Sequence, residues 1–171
     1  MANATQVLIQ NQTLTTTASS VTFSSIPSTY TDLKIVMSIR SNAATVYNDL
    51  YMAFNSTSSG YSSTLLYGSN GGAASASNSG TTLPWSGKVT GANATSNSFS
   101  NCEVYISNYT AAYSKSVSVD AISENNNSDN NMGFTTELWT NTAAINFIVF
   151  TPVSGSFVSG SSFALYGIKN S

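Results

Sequence analysis

The sequence contains no histidine, one cysteine and three prolines, and only five basic and seven acidic side chains in 171 residues. Each shortage removes a class of function. Without histidine, neither a Ser-His-Asp nor a Cys-His nucleophile can be assembled, and zinc sites built on His or Cys are excluded with them. Cys102 alone forms no internal disulfide and no thiolate cluster. Five cations leave no basic footprint, so no nucleic-acid partner is expected. No apolar run approaches the ~18 residues of a membrane-spanning helix, and no membrane partner is expected. Residues 1–14 have neither a basic opening nor an uninterrupted apolar stretch and read as no secretory signal.

In place of charge stand hydroxyls and amides: Ser, Thr and Asn fill 72 of the 171 positions. Such a composition raises the question of disorder, which needs low hydrophobicity, few aromatics and high net charge. Here 41% of residues are hydrophobic, 11% aromatic, and the net charge is only -2. A chain of this length suits one domain and can bury about 68–70% of its unfolded surface. It is expected to fold.

Alternation of period two dominates the chain. Val117, Val119 and Ala121 share one face against Ser116, Ser118 and Asp120; Cys102, Val104 and Ile106 oppose Glu103, Tyr105 and Ser107. Leu33, Ile35, Met37 and Ile39 alternate with Asp32, Lys34 and Ser38, which places the charges of that segment toward solvent. These are half-buried antiparallel strands by pattern. Further strands are expected over 5–14, 21–26, 49–55, 61–67, 134–140, 145–150 and 162–168, with Gly, Asn, Ser and Pro between them. The more continuously apolar 145–150 predicts a strand covered on both faces. About ten strands without a helix predict an all-β fold, an antiparallel β-sandwich best fitted by a jelly roll. The expected organisation is one domain over 1–171, with an extended arm at 1–5 and a long loop at 69–98. Leu83, Pro84 and Trp85 are that loop's apolar anchor, and it is either a contact surface or an excursion holding a short hairpin. Residues 124–131 form a second, polar loop.

The candidates for chemistry are the carboxylates Asp32, Asp49, Glu103, Asp120, Glu124, Asp129 and Glu137. Two of them brought together could serve as acid and base in glycoside cleavage, but seven acids on a β-protein give such pairs by chance. Glu124 and Asp129 could offer oxygens to a hard cation, yet the spacing lacks an ordered calcium-loop pattern and reads as a solvated loop. No catalytic residue, metal ligand or cofactor is therefore assigned, and the chain reads as non-enzymatic. Six Asn-x-Ser/Thr triplets begin at Asn3, Asn11, Asn55, Asn93, Asn108 and Asn126, the number that 19 asparagines in so hydroxyl-rich a chain produce by chance. Tyr51, Tyr61, Tyr67, Trp85, Tyr105, Tyr109 and Tyr113 could stack on sugars, although alternating strands bury many aromatics anyway; Trp85 is the one singled out. Cys102, on an apolar strand face, reads as a small core residue. Candidate contact residues are Ala2, Asn3, Trp85 and Asn93.

Several segments, taken in order, resemble a family. Val21 to Pro27, Tyr30 to Leu33 and Ile39-Arg40-Ser41 look like the opening of small β-rich structural proteins of tailed bacteriophages. Phe54-Asn55, Tyr61-Ser62, Ile106-Ser107-Asn108-Tyr109, Leu138-Trp139, Ala143-Ala144-Ile145 and Ser162 to Ile168 continue the series. The resemblance implies a virion component without catalysis: a capsid decoration or cement protein, homotrimeric, bound to the major capsid protein on the outer surface of the head. The alternative it leaves open is a tail-fibre or receptor-binding module recognising host cell-surface glycan.

Overall fold

The computed structural model describes residues 5–81, 85–126 and 131–169. Among the described residues the alternation becomes twelve strands and no helix. They are β1 (Gln6–Thr13), β2 (Val21–Phe23), β3 (Asp32–Ile39), β4 (Tyr47–Phe54), β5 (Tyr61–Ser69), β6 (Gly72–Thr81), β7 (Trp85–Thr90), β8 (Ser100–Ile106), β9 (Lys115–Ser123), β10 (Asn131–Trp139), β11 (Ile148–Pro152) and β12 (Ser162–Ile168). An eight-stranded sheet runs β1-β12-β3-β8-β9-β10-β5-β6, and a four-stranded sheet runs β2-β11-β4-β7. Strand pairing is antiparallel throughout both sheets. The molecule is an antiparallel β-sandwich, as the pattern predicts, and each of the ten expected segments holds a strand.

The two further strands lie inside the stretch expected to be a long loop at 69–98. Small side chains hid β6, whose residues 73–79 are Ala, Ser and Asn. It pairs with β5 through a two-residue connection, Asn70-Gly71, a dipeptide typical of hairpin turns. In β7 the alternation is broken by a bulge, which sequence periodicity cannot register. Among the described residues of that stretch, 91–98 stay irregular beyond the hairpin turn, and Arg40 clamps them. Its guanidinium donates to the carbonyls of Thr95 and Ser98 at 2.8 and 2.7 Å and to those of Ala92 and Ala94 at 3.3 Å.

Three other expectations need correction. The arm was expected to reach residue 5, but the Thr5 carbonyl already accepts a 2.9 Å bond from the Lys169 amide; residues 1–4 lie outside the described chain. Segment 145–150 is not covered on both faces. Its strand begins only at Ile148, and Asn146 is exposed while Val149 is half-buried. Residues 144–147 are instead held by the side chain of Asn55, which donates to the Ala144 carbonyl and accepts from the amides of Asn146 and Phe147. Asp32, placed on the solvent side by alternation, is buried.

The core lies between the sheets, built from the inward residues of β3, β8, β9 and β12 in the large sheet with Phe23, Leu50, Met52, Phe54, Ile148 and Phe150 of the small sheet opposite. Aromatic rings join the layers. Phe54 meets Trp139 at 5.4 Å and Tyr61 at 6.1 Å, and Phe150 meets Phe163 at 6.2 Å. Truncating such a buried ring to alanine costs about 3–5 kcal/mol. On one side the sandwich is laced shut: Gln10 and Gln12 of β1 each donate a 2.6 Å bond, to the carbonyls of Ser24 and Thr22. On the other side the large sheet continues past β7, the edge of the small sheet, into the β5–β6 hairpin.

Candidate functional site

The mismatch between eight strands and four creates a cleft at that edge. β7 packs across β8, β9 and β10; Tyr61, Ser63 and Leu65 on the inner face of β5 are still buried, but Tyr67 at its far end and most of β6 are left open. The bulge in β7 sets what faces the opening. Asp49 pairs with Lys88 and Tyr51 with Trp85, so Ser86 and Gly87 together oppose Leu50. Gly87 has φ +129°, and a Cβ there would stand 3.0 Å from Cys102 Sγ and 3.2 Å from the Ala121 Cβ. Two residues turned into the core bring Trp85 back to the same side as Lys88. Without the bulge, strict alternation would put Trp85 on the face opposite Lys88.

The resulting cavity has a volume of about 230 Å³ and is lined by Tyr47, Asp49, Leu65, Tyr67, Ala76, Trp85, Lys88 and Asn131. Three aromatic side chains from three strands therefore face one space. Lys88 makes an ion pair with Asp49 Oδ1 and lies 5.1 Å from the Tyr47 ring centroid, so the cleft's two charges cancel. Asn131, at the start of β10, is only 3% exposed, and its Oδ1 accepts no hydrogen bond. A buried amide oxygen without a donor is unusual in a folded protein.

The other singled-out residues divide sharply. Trp85 lies in the cleft. Asn93 is exposed on the loop that Arg40 clamps, and Ala2 and Asn3 lie outside the described residues. Tyr67 joins Trp85 in the cleft, while Tyr47 and Asn131 were missed because neither carries a motif. Tyr61 and Tyr109 are core residues: the Tyr61 hydroxyl accepts from the Phe54 amide at 2.8 Å, and that of Tyr109 donates to the Pro27 carbonyl. Tyr105 is bound to Asp32, Tyr51 is half-buried on β4, and Tyr113 is exposed. Cys102 is fully buried, and burial pushes its thiol up, as a core role requires.

The carboxylates are mostly committed. Asp32 accepts from Tyr105 and the Asn108 amide, Glu103 pairs with Lys34 at 2.8 Å, and Glu124 Oε1 accepts from the amides of Asn125 and Asn126. Asp129 lies outside the described residues, and no group of three or more potential metal ligands occurs among those described. Glu103 and Asp120 are direct cross-strand neighbours. They stand on the open outer face of the large sheet, where nothing excludes water from a reacting centre. Glu137 points inward between Val117 and Ser63, its strand neighbours, and is 3% exposed. Ser86 eases its ionisation slightly, yet neither oxygen finds a hydrogen bond of full geometry, and burial pushes its pKa up to about 7.

The outer face of β5, β9 and β10 is the second notable surface. Leu66, Ile122, Met132, Phe134 and Leu138 are all large, apolar and exposed there, with Leu66 and Met132 at 60%. Phe134 stands directly opposite Leu66, and Met132 opposite Ile122. Leu66, Met132 and Phe134 border a depression of about 470 Å³.

Fold and surfaces together define a class: an antiparallel β-sandwich with an aromatic cleft at one sheet edge and an apolar outer face. No family model matches the chain, and no curated protein matches its sequence. Among solved structures, exo-inulinase from Aspergillus awamori is similar over 95% of this chain and 29% of its own, at 11% identity and a TM-score of 0.49. Galectin LEC-6 from Caenorhabditis elegans is similar over 94% of this chain and 96% of its own, at 10% identity and a TM-score of 0.33. Domains LG4-5 of the mouse laminin alpha1 chain are similar over 91% and 40%, at 13% identity and the same score. The chain thus spans less than a third of the inulinase's length. Likenesses at this level assign neither activity nor ligand.

Proposed function

We propose that the chain is a non-enzymatic structural protein of a tailed-bacteriophage particle. In this reading it is a decoration or cement protein on the outer surface of the head, binding the major capsid protein, bridging capsomers and assembling as a homotrimer. The observation that carries the reading is the apolar outer face of β5, β9 and β10. Exposed apolar area of this kind marks a surface built to be covered, and the protein has almost no charge to repel identical neighbours. Ser, Thr and Asn around the patch supply short-range hydrogen bonds, which salt screens far less than separated charges. The ordered resemblance to phage structural proteins supplies the kind of assembly.

The alternative, a tail-fibre or receptor-binding module for cell-surface glycan, draws on the aromatic cleft. Copy number separates the two. Quantitative mass spectrometry of purified particles should find the protein at a number comparable to the major capsid protein. A few copies per particle would favour the fibre, and absence from particles would end both readings.

A further inference from the structure

We infer that the cleft between β7 and the β5–β6 hairpin is a binding subsite for one neutral pyranose ring. The cavity, at about 230 Å³, is scaled to a single ring rather than to an extended chain. Trp85, Tyr67 and Tyr47 offer flat apolar faces, against which the C–H face of a sugar packs while its hydroxyls stay free for polar partners.

Those partners are in place. Asn131 lines the cleft, and its Oδ1 is buried and lacks a donor; a small rotation of the amide toward the opening lets a ligand hydroxyl supply one. Asp49 gives Oδ1 to Lys88, which leaves Oδ2 to accept from a second hydroxyl. Because Lys88 is neutralised by Asp49, the cleft has no spare cation for a carboxylate, and an acidic sugar entering it would lose water without gaining a counter-ion. The ligand class is therefore neutral: a hexose or an N-acetylhexosamine. The inference does not depend on the particle assignment, since the isolated chain carries the whole cleft.

The test uses the full chain and methyl glycosides of glucose, galactose, mannose and N-acetylglucosamine. Trp139 is buried in the core, so Trp85 is the half-exposed member of the two tryptophans, and its emission reports on the cleft. At least one glycoside should change that emission saturably, with half-saturation at about 1 mM, the range of one stacked ring with a few hydrogen bonds. The same titration followed by amide chemical shifts should move Tyr67, Trp85, Lys88 and Asn131 in the wild-type chain, with no variant needed. Asn131→Ala and Trp85→Ala, read by ligand-detected NMR, should each weaken binding about tenfold; Tyr67→Ala replaces either one that fails to fold. No saturation with any of the four glycosides would overturn the inference. So would shifts confined to the outer face of β9 and β10, or tighter binding of methyl glucuronide than of the neutral rings. Saturable binding by a protein absent from phage particles would leave the sugar subsite standing and remove only the particle assignment.

Discussion

The hydroxyl of Tyr105 on β8 donates to Oδ2 of Asp32 on β3 across 2.6 Å, while the other oxygen of Asp32 accepts the Asn108 amide at 2.8 Å. One buried carboxylate thus ties two neighbouring strands to the turn that follows them. The bond to Asp32 also pushes the Tyr105 phenol up to about 12.

Replacing Asp32 should return Tyr105 toward an ordinary phenol. In the wild-type protein, absorbance titration should show one tyrosine ionising near pH 12, and in Asp32→Ala that step should move toward 10. The raised value also has a stability sign. Above pH 10 the unfolded chain loses this proton before the folded one does, so the stabilisation is full below pH 10 and is lost between 10 and 12. Asp32→Ala should cost about 1–3 kcal/mol at neutral pH, because it strands the Asn108 amide; urea unfolding measures it.

Glu137 should make the protein less stable as pH rises through the weakly acid range. Burial is the cause, since it penalises the charged form and pushes the pKa up to about 7. Between the ordinary carboxylate pKa and 7 the unfolded chain is ionised while the folded chain is not. Each pH unit then favours unfolding by about 1.4 kcal/mol, or about 3 kcal/mol in all. Glu137→Gln should flatten this slope and raise the unfolding midpoint at pH 8, while leaving it little changed at pH 4. Denaturation curves for both proteins at a series of pH values provide the check; parallel curves would count against a carboxylate held neutral by burial.

Gly87 should resist even a methyl group. Its φ is positive, and an added Cβ meets Cys102 Sγ at 3.0 Å. Gly87→Ala is expected to cost about 1–3 kcal/mol through backbone strain and overpacking. The substitution should also disturb the emission of Trp85, two residues away on the same bulge. Unchanged stability together with unchanged emission would mean that the bulge does not orient Trp85.

Phe134 and Met132 should matter for assembly far more than for folding. Both are exposed on the outer face, so Phe134→Gln with Met132→Gln should change stability by no more than about 0.5 kcal/mol per site. If that face docks on a shell or on another copy, each buried side chain contributes about 1.5–3 kcal/mol there. The double variant should then bind at least about tenfold more weakly. Occupancy on stripped particles and sedimentation of the free protein measure the two cases, and equal occupancy would show that another surface makes the contact.

Much of the fold was legible because its signal is local. Burial alternates without exception from Lys115 to Ser123, and the residue types follow it from Ser116 to Ala121. β6 was not legible, since Ala and Ser differ too little in hydrophobicity to show which face is inward. Asp32 was misplaced because alternation says only which side a residue faces. It cannot say that a tyrosine on the next strand and a turn amide will cover that side. Of the candidate site, Trp85 was legible as a large aromatic in a polar stretch, whereas Asn131 looked like one more asparagine in a polar loop.

The residues alone determined an all-β chain and excluded site chemistry that needs a histidine. Strand periodicity and missing side-chain types are properties of neighbours in sequence and need no tertiary contact. Only the tertiary structure decided that Tyr47, Tyr67, Trp85 and Asn131 share one cleft, because strands β4, β5, β7 and β10 meet there through pairings far apart in the chain. It also decided that Leu66, Ile122, Met132 and Phe134 lie side by side on an open face. A strand's pattern marks two sides, but which of them another sheet covers is settled only when the sheets pack.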